Sequence, residues 1–200
     1  MVDHCAVSEE RTSIPMIPTL VIVALLVVLV LYVIVSYNGL VRSREQVRSA
    51  WAQIDVVLKR RYDLIPNLVE TVKGYAAHEK ETLAAVIAAR NQAVAARDPA
   101  SLSAAEGQLG GALRQMFAVA EAYPDLKANQ NFMQLQSELA GTENQISSFR
   151  QNYNSLVRQY NTSMLSFPTN LVAGPFGFTP QPFFEIQDTV QREAPAVKFT

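Results

Sequence analysis

The hydrophobic residues of this chain follow three different patterns along its length. In residues 17–35 they are continuous, since 17 of the 19 positions are hydrophobic and none is charged. From about residue 46 to residue 167 they recur every three or four positions, which is the spacing of one face of an α-helix. After residue 168, phenylalanines are interspersed with prolines and glycines. The pattern therefore predicts an apolar segment, a helical body and an irregular tail.

The continuous segment has the length and composition of a membrane-spanning helix. Nineteen residues make a helix of roughly 28 Å, close to the thickness of a bilayer core. The alternative is a cleaved signal peptide. However, the run is longer than the apolar part of a usual signal, the preceding leader is acidic, and no small-residue cleavage site follows. We therefore predict an uncleaved anchor.

Basic residues near the two ends of this anchor predict its orientation. One arginine precedes the segment and three follow it, which favours an outside N-terminus and a body in the cytoplasm. These residues are Arg11 before the segment and Arg42, Arg44 and Arg48 after it. Of the basic residues that follow the anchor, these three lie close enough to the bilayer to contact lipid, whereas Lys59 lies roughly 36 Å beyond Val35 along a straight helix.

Four body helices are predicted from the spacing of the apolar positions. They span residues 46–62, 66–96, 99–123 and 132–167, and the first continues directly from the anchor. A break is expected before Pro66, because the residue preceding a proline avoids helical geometry and Asp63 can cap the helix that follows. Gly74 and the polar residues 78–81 are expected to kink the second helix or to divide it in two.

Helices joined by short turns, with no convincing strand pattern, predict an all-α protein. The architecture is an N-terminal transmembrane helix, an antiparallel up-and-down four-helix bundle and an extended C-terminal tail. The expected segments are a leader (1–16), the transmembrane helix (17–36), the bundle (37–167) and the tail (168–200). Four phenylalanines of the tail either dock on the bundle as a strap or recognise another subunit or protein: Phe176, Phe178, Phe183 and Phe184.

Composition and charge exclude several classes of function. With 17 basic and 18 acidic residues, the chain lacks the basic surplus of a nucleic-acid-binding protein. The single Cys5 cannot form an intramolecular disulfide or anchor a cysteine metal site. His78-Glu79 would need a second histidine at position 82 to match a zinc-protease motif, and Thr82 is there. No catalytic site, metal or cofactor is predicted.

Three glycines of the third helix, Gly107, Gly110 and Gly111, lie within a helical pattern and not in a phosphate-binding loop. We expect them to allow close packing of a neighbouring helix.

Several longer motifs extend from the membrane segment to about residue 186. They are Tyr37-Asn38-x-Leu40-Val41, Ala50-Trp51-x-x-Ile54-Asp55-Val56, the run from Leu58 to Glu70, Val72-Lys73-Gly74-Tyr75-Ala76-x-His78-Glu79, Ala89-Arg90, Glu121-x-Tyr123-Pro124-x-Leu126-Lys127-Ala128, Arg150-x-x-Tyr153-Asn154-x-x-Val157-x-x-Tyr160-Asn161, and the ending from Phe167-Pro168 through Gly177-Phe178 to Phe183-Phe184-Glu185.

Together these motifs resemble the LemA family. The resemblance implies a bacterial-type, single-pass cytoplasmic-membrane protein with an outside N-terminus and no established enzymatic activity or cofactor. It also implies an association with membrane proteases and envelope stress and, in one relative, with magnetosome membrane formation.

Within these motifs, some residues have a clear structural interpretation. Trp51 lies on the apolar stripe and is predicted to anchor the core, while Asp63 and Pro66 are predicted to set the first turn. Two Tyr–Asn pairs are seven residues apart and therefore share a helix face. The tyrosines lie in the stripe, and the asparagines are expected to form hydrogen bonds at its rim. The pairs are Tyr153-Asn154 and Tyr160-Asn161.

A set of charged residues in the same motifs is harder to explain by packing. We hypothesise a buried or interfacial ion network that fixes the first two helices or a subunit contact. The three consecutive basic residues at 59–61 are expected to pair with nearby acidic residues of the same region or to face a partner. The set comprises Asp55, Lys59, Arg60, Arg61, Glu70 and Lys73.

The sequence thus predicts a non-enzymatic, membrane-anchored scaffold or adaptor that self-associates. Its expected partners are the lipid bilayer, further copies of the chain and a membrane protein, with no nucleic acid. The alternative is an accessory or regulatory subunit of a membrane enzyme, such as a membrane protease in envelope stress. A catalytic function ranks third, because the body contains only one histidine.

Overall fold

The computed structural model describes residues 16–185, which form helices and turns with no strand among them. The all-α prediction is confirmed. The leader with Cys5 and Arg11, and tail residues 186–200, lie outside the described residues. The helices are α1 (Met16–Lys73), α2 (Lys80–Ala95), α3 (Pro99–Ala120), the single turn α4 (Pro124–Lys127), α5 (Gln130–Leu165) and the single turn α6 (Asn170–Ala173).

Helix α1 carries the anchor segment and the first body helix as one element of 58 residues. All side chains from Ile17 to Leu31 are exposed, and Leu40 is the first buried residue of the helix. Beyond Leu40, buried positions recur at helical spacing up to Val72. One part of α1 is therefore bare, and the other is packed.

The predicted break between the first two body helices is wrong, because Pro66 lies inside α1 and Asp63 is an exposed helical residue and not a cap. Proline has no N–H, so the carbonyl oxygen of Tyr62, four residues earlier, loses its helical donor. Arg90 of α2 replaces that donor, since its Nε donates to the Tyr62 carbonyl at 3.1 Å. The interruption falls instead between α1 and α2, at residues 74–79, where the sequence allowed the second helix to divide.

The body is built from two helix pairs, because α1 packs mainly on α5 and α2 mainly on α3, with α1 also contacting α2. Chain order and these contacts correspond to the predicted up-and-down bundle. A single apolar core fills the space between the helices, and Ile54, Val86, Leu109 and Ile146 are each almost completely buried in it. Short turns join the helices, and at the end far from the anchor Asn129 Nδ2 donates to the Tyr75 hydroxyl at 2.9 Å.

The apolar stripe of α5 is buried or half-buried from Phe132 to Met164, as its spacing predicts. It fails only at Phe167, which is 80% exposed because α5 ends at Leu165.

The expectation for the glycines of α3 is wrong. A Cβ added at Gly107 would meet no atom within 4 Å, and at Gly110 or Gly111 it would meet only the side chain of Arg114 on the same helix. No neighbouring helix approaches these positions closely.

After α5 the chain reverses direction through α6 and a turn at Gly177, whose φ of 70° favours glycine. Residues 178–185, here called the strap, then run in extended form back along the bundle, antiparallel to α5. Phe178 and Phe184 are buried against the bundle, whereas Phe176 and Phe183 remain exposed. The predicted docking is thus observed for two of the four phenylalanines.

Candidate functional site

The two Tyr–Asn pairs of α5 form a clamp that holds the strap. The amide of Asn154 both donates to the Phe184 carbonyl, at 3.0 Å, and accepts from the Phe184 N–H, at 2.9 Å. Asn161 does the same with Gln181, at 2.9 Å in both directions. Each asparagine side chain therefore satisfies the two backbone groups that a neighbouring β-strand would satisfy.

The tyrosines of the clamp add one hydrogen bond each. Tyr153 donates to the Pro182 carbonyl at 2.9 Å, and Tyr160 donates to the Thr179 carbonyl at 3.1 Å. Burial raises the pKa of both phenols, so they keep the protons that these bonds require.

The distance between the two pairs along α5 matches the distance between their partners along the strap. Seven residues advance about 10.5 Å along a helix. The strap residues they bind are three apart, and three residues of polyproline-like chain advance about 9 Å. Pro180 and Pro182 favour this extended conformation. The repeated Tyr-Asn motif thus binds a proline-containing segment at regular intervals.

Trp51 contacts both the clamp and the strap. Its ring lies 5.3 Å from that of Tyr153 and 5.6 Å from that of Phe184, between ring centroids. Trp51 is half-buried at the edge of the core, whereas Phe184 beside it is fully buried. Trp51 thus packs against the core from its edge, where it also covers the buried phenylalanine of the strap.

A buried ion cluster joins three helices in the middle of the bundle. Arg61 of α1 contacts Glu106 of α3 at 3.0 Å and Glu143 of α5 at 2.7 Å, in both cases through Nη1. The Tyr62 hydroxyl donates to the other oxygen of Glu106 at 2.6 Å. The side chains of Arg61 and Glu106 are only 6% and 2% exposed, so this pair is almost fully desolvated.

Burial controls the protonation of this cluster. It raises the pKa of Glu106 above the ordinary value, while the positive charge of Arg61 acts in the opposite direction. Burial and the adjacent Glu106 carboxylate also raise the pKa of Tyr62, which remains a donor. Losing either partner of this pair would leave an uncompensated buried charge, which is strongly destabilising.

The remaining charged residues singled out from the sequence do not join this cluster. Asp55, Lys59, Arg60, Glu70 and Lys73 are all exposed. Arg60 approaches Glu138 of α5 at 4.0 Å, and Lys73 pairs with Glu70 at 3.3 Å. A single buried network of these six residues is therefore not observed, and the alternative that the exposed ones form a subunit contact stays a prediction. Arg61 alone is buried, and its partners come from α3 and α5 and not from its own region.

Glu106 and Glu143 were not predicted from the sequence, and Arg90 was named only within the Ala89-Arg90 motif. A signal for Glu106 was present, because it lies on the apolar stripe of α3, four residues after Leu102 and three before Leu109. An acidic residue in one stripe and a basic residue in another predict a buried pair. Glu143 gave no comparable signal, and the Ala89-Arg90 motif did not indicate which group Arg90 would contact.

The structure describes no group of three or more His, Cys, Asp or Glu side chains that could hold a metal ion. An apolar groove of about 750 Å³ lies between the end of α1 and α2, on the half of the bundle far from the anchor. Its apolar lining includes Val69, Ala77, Leu83, Ala84 and Ile87, and its polar lining consists of Glu70, Lys73, Lys80 and Asn91. Its lining suits apolar side chains.

The opposite end of the bundle meets the anchor. The Tyr32 hydroxyl and Thr169 Oγ1 lie 3.3 Å apart, which ties the turn after α5 to the apolar segment. The three arginines that were predicted to lie near the membrane differ in their surroundings. Arg42 is exposed, Arg44 lies over the Phe178 ring at 5.3 Å, and Arg48 pairs with Glu45 at 3.0 Å.

Within the described residues, one helix is long and apolar enough to cross a membrane, by length and composition. Its most apolar window has a mean hydropathy of 3.1 and is not buried by any part of the protein. This helix is consistent with membrane anchoring.

The model of the LemA family matches residues 50–199, three quarters of the chain. The chain belongs to the LemA family. The match begins after the apolar segment and extends past residue 186, where the resemblance was expected to stop.

Curated relatives of this LemA-family protein include Protein LemA of Metamycoplasma hominis, 29% identical over 123 residues, which cover 60% of this chain and 55% of that protein. Magnetosome protein MamQ of Magnetospirillum gryphiswaldense is 23% identical over 156 residues, 65% of this chain and 57% of the relative. MamQ 2 of Paramagnetospirillum magneticum is 24% identical over 165 residues, with coverage of 66% and 61%. The chain thus spans little more than half the length of these relatives. None of the names denotes an enzyme.

Proposed function

We propose that this protein is a non-enzymatic, membrane-anchored scaffold or adaptor of the LemA type that self-associates at a bacterial cytoplasmic membrane. The observation that carries the proposal is the continuity of α1, in which an apolar segment of spanning length becomes a body helix without a turn. The 38 residues from position 36 to position 73 extend about 57 Å beyond that segment. A body joined in this way holds its far end at a set distance from the lipid.

The proposed orientation and segment boundaries are those predicted from the sequence. In this proposal the leader 1–16 lies outside, residues 17–36 span the bilayer, and the bundle 37–167 and the tail 168–200 lie in the cytoplasm. The arginine bias around the anchor supports this direction. A reporter enzyme that is active only outside the cytoplasmic membrane, fused after Thr200, should remain inactive. An active fusion would reverse the orientation.

Self-association is assigned to the apolar groove between α1 and α2. Exposed apolar surface is a liability for a protein that remains alone, and this groove is lined mainly by valine, leucine, isoleucine and alanine. A second copy could place an apolar helix face there. The Glu70 and Lys73 side chains in its lining pair with each other at 3.3 Å, so the two together add no net charge that would repel a second copy.

Crosslinking in native membranes tests the proposal. We expect a ladder of multiples of this protein alone, weakened by Ala84→Glu in the groove and unchanged by Ala118→Glu, an exposed alanine of α3. Equal ladders from both variants would contradict the assignment of the groove. A single crosslinked species with one stoichiometric partner would replace the scaffold with the alternative, an accessory or regulatory subunit of a membrane enzyme.

A further inference from the structure

The turn between α5 and the strap presents a cluster of exposed apolar side chains. Leu165, Phe167, Leu171 and Phe176 are each more than half exposed. We call these four residues the apolar ledge. They occupy 12 consecutive residues, 165–176, whereas residues 40–164 of the body contain only four exposed large apolar side chains among the described positions, Val56, Tyr75, Val94 and Met133. The ledge is thus a local concentration, and soluble surfaces seldom carry one.

The chain around the ledge is also free of charge. Between Arg158 and Glu185 there are 26 consecutive residues without Asp, Glu, Lys, Arg or His. Elsewhere in the body, charged residues are spread through every long helix. A segment that combines exposed leucine and phenylalanine with a lack of charge is suited to contact with an apolar phase and not with water.

Contacts with α1 place the ledge beside the end of the anchor. Thr169, between Phe167 and Leu171, meets the hydroxyl of Tyr32, three residues before the end of the apolar run. Phe176 packs on Tyr37, with ring centroids 5.1 Å apart. Tyr32 and Val33 are half-buried, while residues 17–31 are exposed. If residues 17–35 span a bilayer, the ledge lies at the depth where aromatic side chains meet the lipid headgroups.

We propose that the apolar ledge inserts into the interfacial layer of the bilayer that the anchor spans, as a second membrane contact. This inference rests on the anchoring proposed above. The exposed Arg42 is five residues beyond Tyr37, about 7.5 Å along the helix, where it faces anionic headgroups. A single spanning helix leaves the body free to rotate and tilt. Two contacts side by side hold the bundle and the strap in one orientation to the membrane.

Spin-label accessibility in the full-length chain tests the proposal. In a Cys5→Ser background, single labels replace Leu171 in the ledge, Leu26 in the anchor and Val56 in the body. Val56 is the matched control, because its exposed fraction of 69% is close to the 64% of Leu171. The protein is reconstituted in vesicles of phosphatidylethanolamine and phosphatidylglycerol. Collisions with oxygen, which partitions into lipid, are compared with collisions with a water-soluble nickel complex.

At Leu171 we expect more collisions with oxygen than with the nickel complex, which we call a lipid ratio. The depth calculated from that ratio should lie between the depth of Leu26 and the headgroups. At Val56 the nickel complex should collide more often than oxygen, which we call an aqueous ratio. An aqueous ratio at Leu171 together with a lipid ratio at Leu26 would overturn the ledge and leave the anchor intact. An aqueous ratio at Leu26 would remove the anchoring and the ledge together. Shielding of Leu171 from both reagents, with spin–spin broadening that disappears on dilution with unlabelled protein, would place a second copy on the ledge and overturn its contact with lipid.

Discussion

The two parts of α1 belong to one continuous helix but are built for different surroundings. In residues 17–31 the helix is apolar on every side, and every side chain is exposed. From Leu40 to Val72 only one face is apolar, and that face is buried against α5 and α2. A helix that is apolar all round needs an apolar solvent, and a helix with one apolar stripe needs partner helices. The width of the apolar face, and not the helical propensity, separates the anchor from the body.

The largest effects should come from placing one carboxylate in each part. Ile54 has no exposed surface, and Ile54→Asp puts an unpaired carboxylate in the core. We expect a loss of about 4 kcal/mol or more in the free energy of unfolding, enough to unfold a marginally stable domain. Thermal melting followed by circular dichroism of the detergent-extracted protein measures this loss.

The same change in the bare part, Leu26→Asp, should leave that melting curve unaltered. A charge near the centre of a spanning helix costs about 2.5–3.5 kcal/mol of insertion free energy. The fraction of protein retained in carbonate-washed membranes should therefore fall for Leu26→Asp. If either single variant lowered both the melting temperature and the fraction retained in membranes, the division of α1 into an anchor part and a packed part would be contradicted.

The next largest effect concerns the buried ion cluster. Arg61→Met leaves Glu106 buried beside Glu143 without a positive partner, and we expect a loss of 3–5 kcal/mol, on the order found for broken buried pairs. Arg60→Met, at the preceding residue, is the matched control. Because Arg60 is exposed and 4.0 Å from its partner, its loss should be within about 1 kcal/mol. Urea unfolding measures both variants.

A double variant sharpens this prediction. Arg61→Met with Glu106→Gln removes both charges, so it should recover much of the stability lost by Arg61→Met alone. A double variant no more stable than the single one would show that Arg61 acts through packing and not through its charge.

A smaller, local effect is expected at the clamp. Asn154→Ala removes two hydrogen bonds to Phe184, worth about 1–3 kcal/mol together. The strap should open locally while the bundle remains folded, because local segments unfold at lower free energy than the core. Hydrogen exchange at the Phe184 amide should accelerate in this variant.

Asn152→Ala, two residues earlier on the same helix and exposed, is the matched control and should leave that exchange rate unchanged. Trp51 is the only tryptophan and contacts Phe184, so its fluorescence gives a second measure of strap opening. Unchanged exchange and fluorescence in Asn154→Ala would contradict the role of the clamp.

The smallest effect is a pH dependence from Glu106. Because burial raises its pKa, the folded protein binds this proton more tightly than the unfolded chain does. The contribution of Glu106 to the free energy of unfolding should therefore increase as the pH falls from neutral through the raised pKa. It should become constant below the ordinary value of 4.5.

The difference in Tm between the wild type and Glu106→Gln measures this contribution, and it should shift in favour of the wild type as the pH falls. Glu81→Gln, at an exposed position of α2, provides the comparison that corrects for the general effect of pH. A difference that shifts against the wild type on acidification would contradict the direction of the pKa change.

Much of the fold was predictable because it depends on local periodicity. The stripe of α5 is buried or half-buried from Phe132 to Met164, as its spacing predicts, and residues 17–35 stand apart by composition alone. The seven-residue spacing of the Tyr–Asn pairs also placed them correctly on one face. Their function as a clamp was not predictable, because it requires the strap to lie antiparallel to α5 in one register.

The predicted break before Pro66 was wrong because the deciding contact comes from a residue that is distant in the chain. Proline does remove one helical hydrogen bond, and a local argument therefore ends the helix there. The bond is replaced by Arg90, which is 24 residues further along the chain and reaches the Tyr62 carbonyl only because α2 packs beside α1.

The sequence by itself determined the number of long helices, the apolar faces and the anchor segment, because these follow from the order of side chains along one element. The tertiary structure decided where α1 ends, which acidic residues neutralise Arg61, and where the exposed apolar residues of the tail meet the anchor. Each of these depends on groups that are distant in the chain, and their interaction energies appear only when packing brings them within a few ångströms of each other.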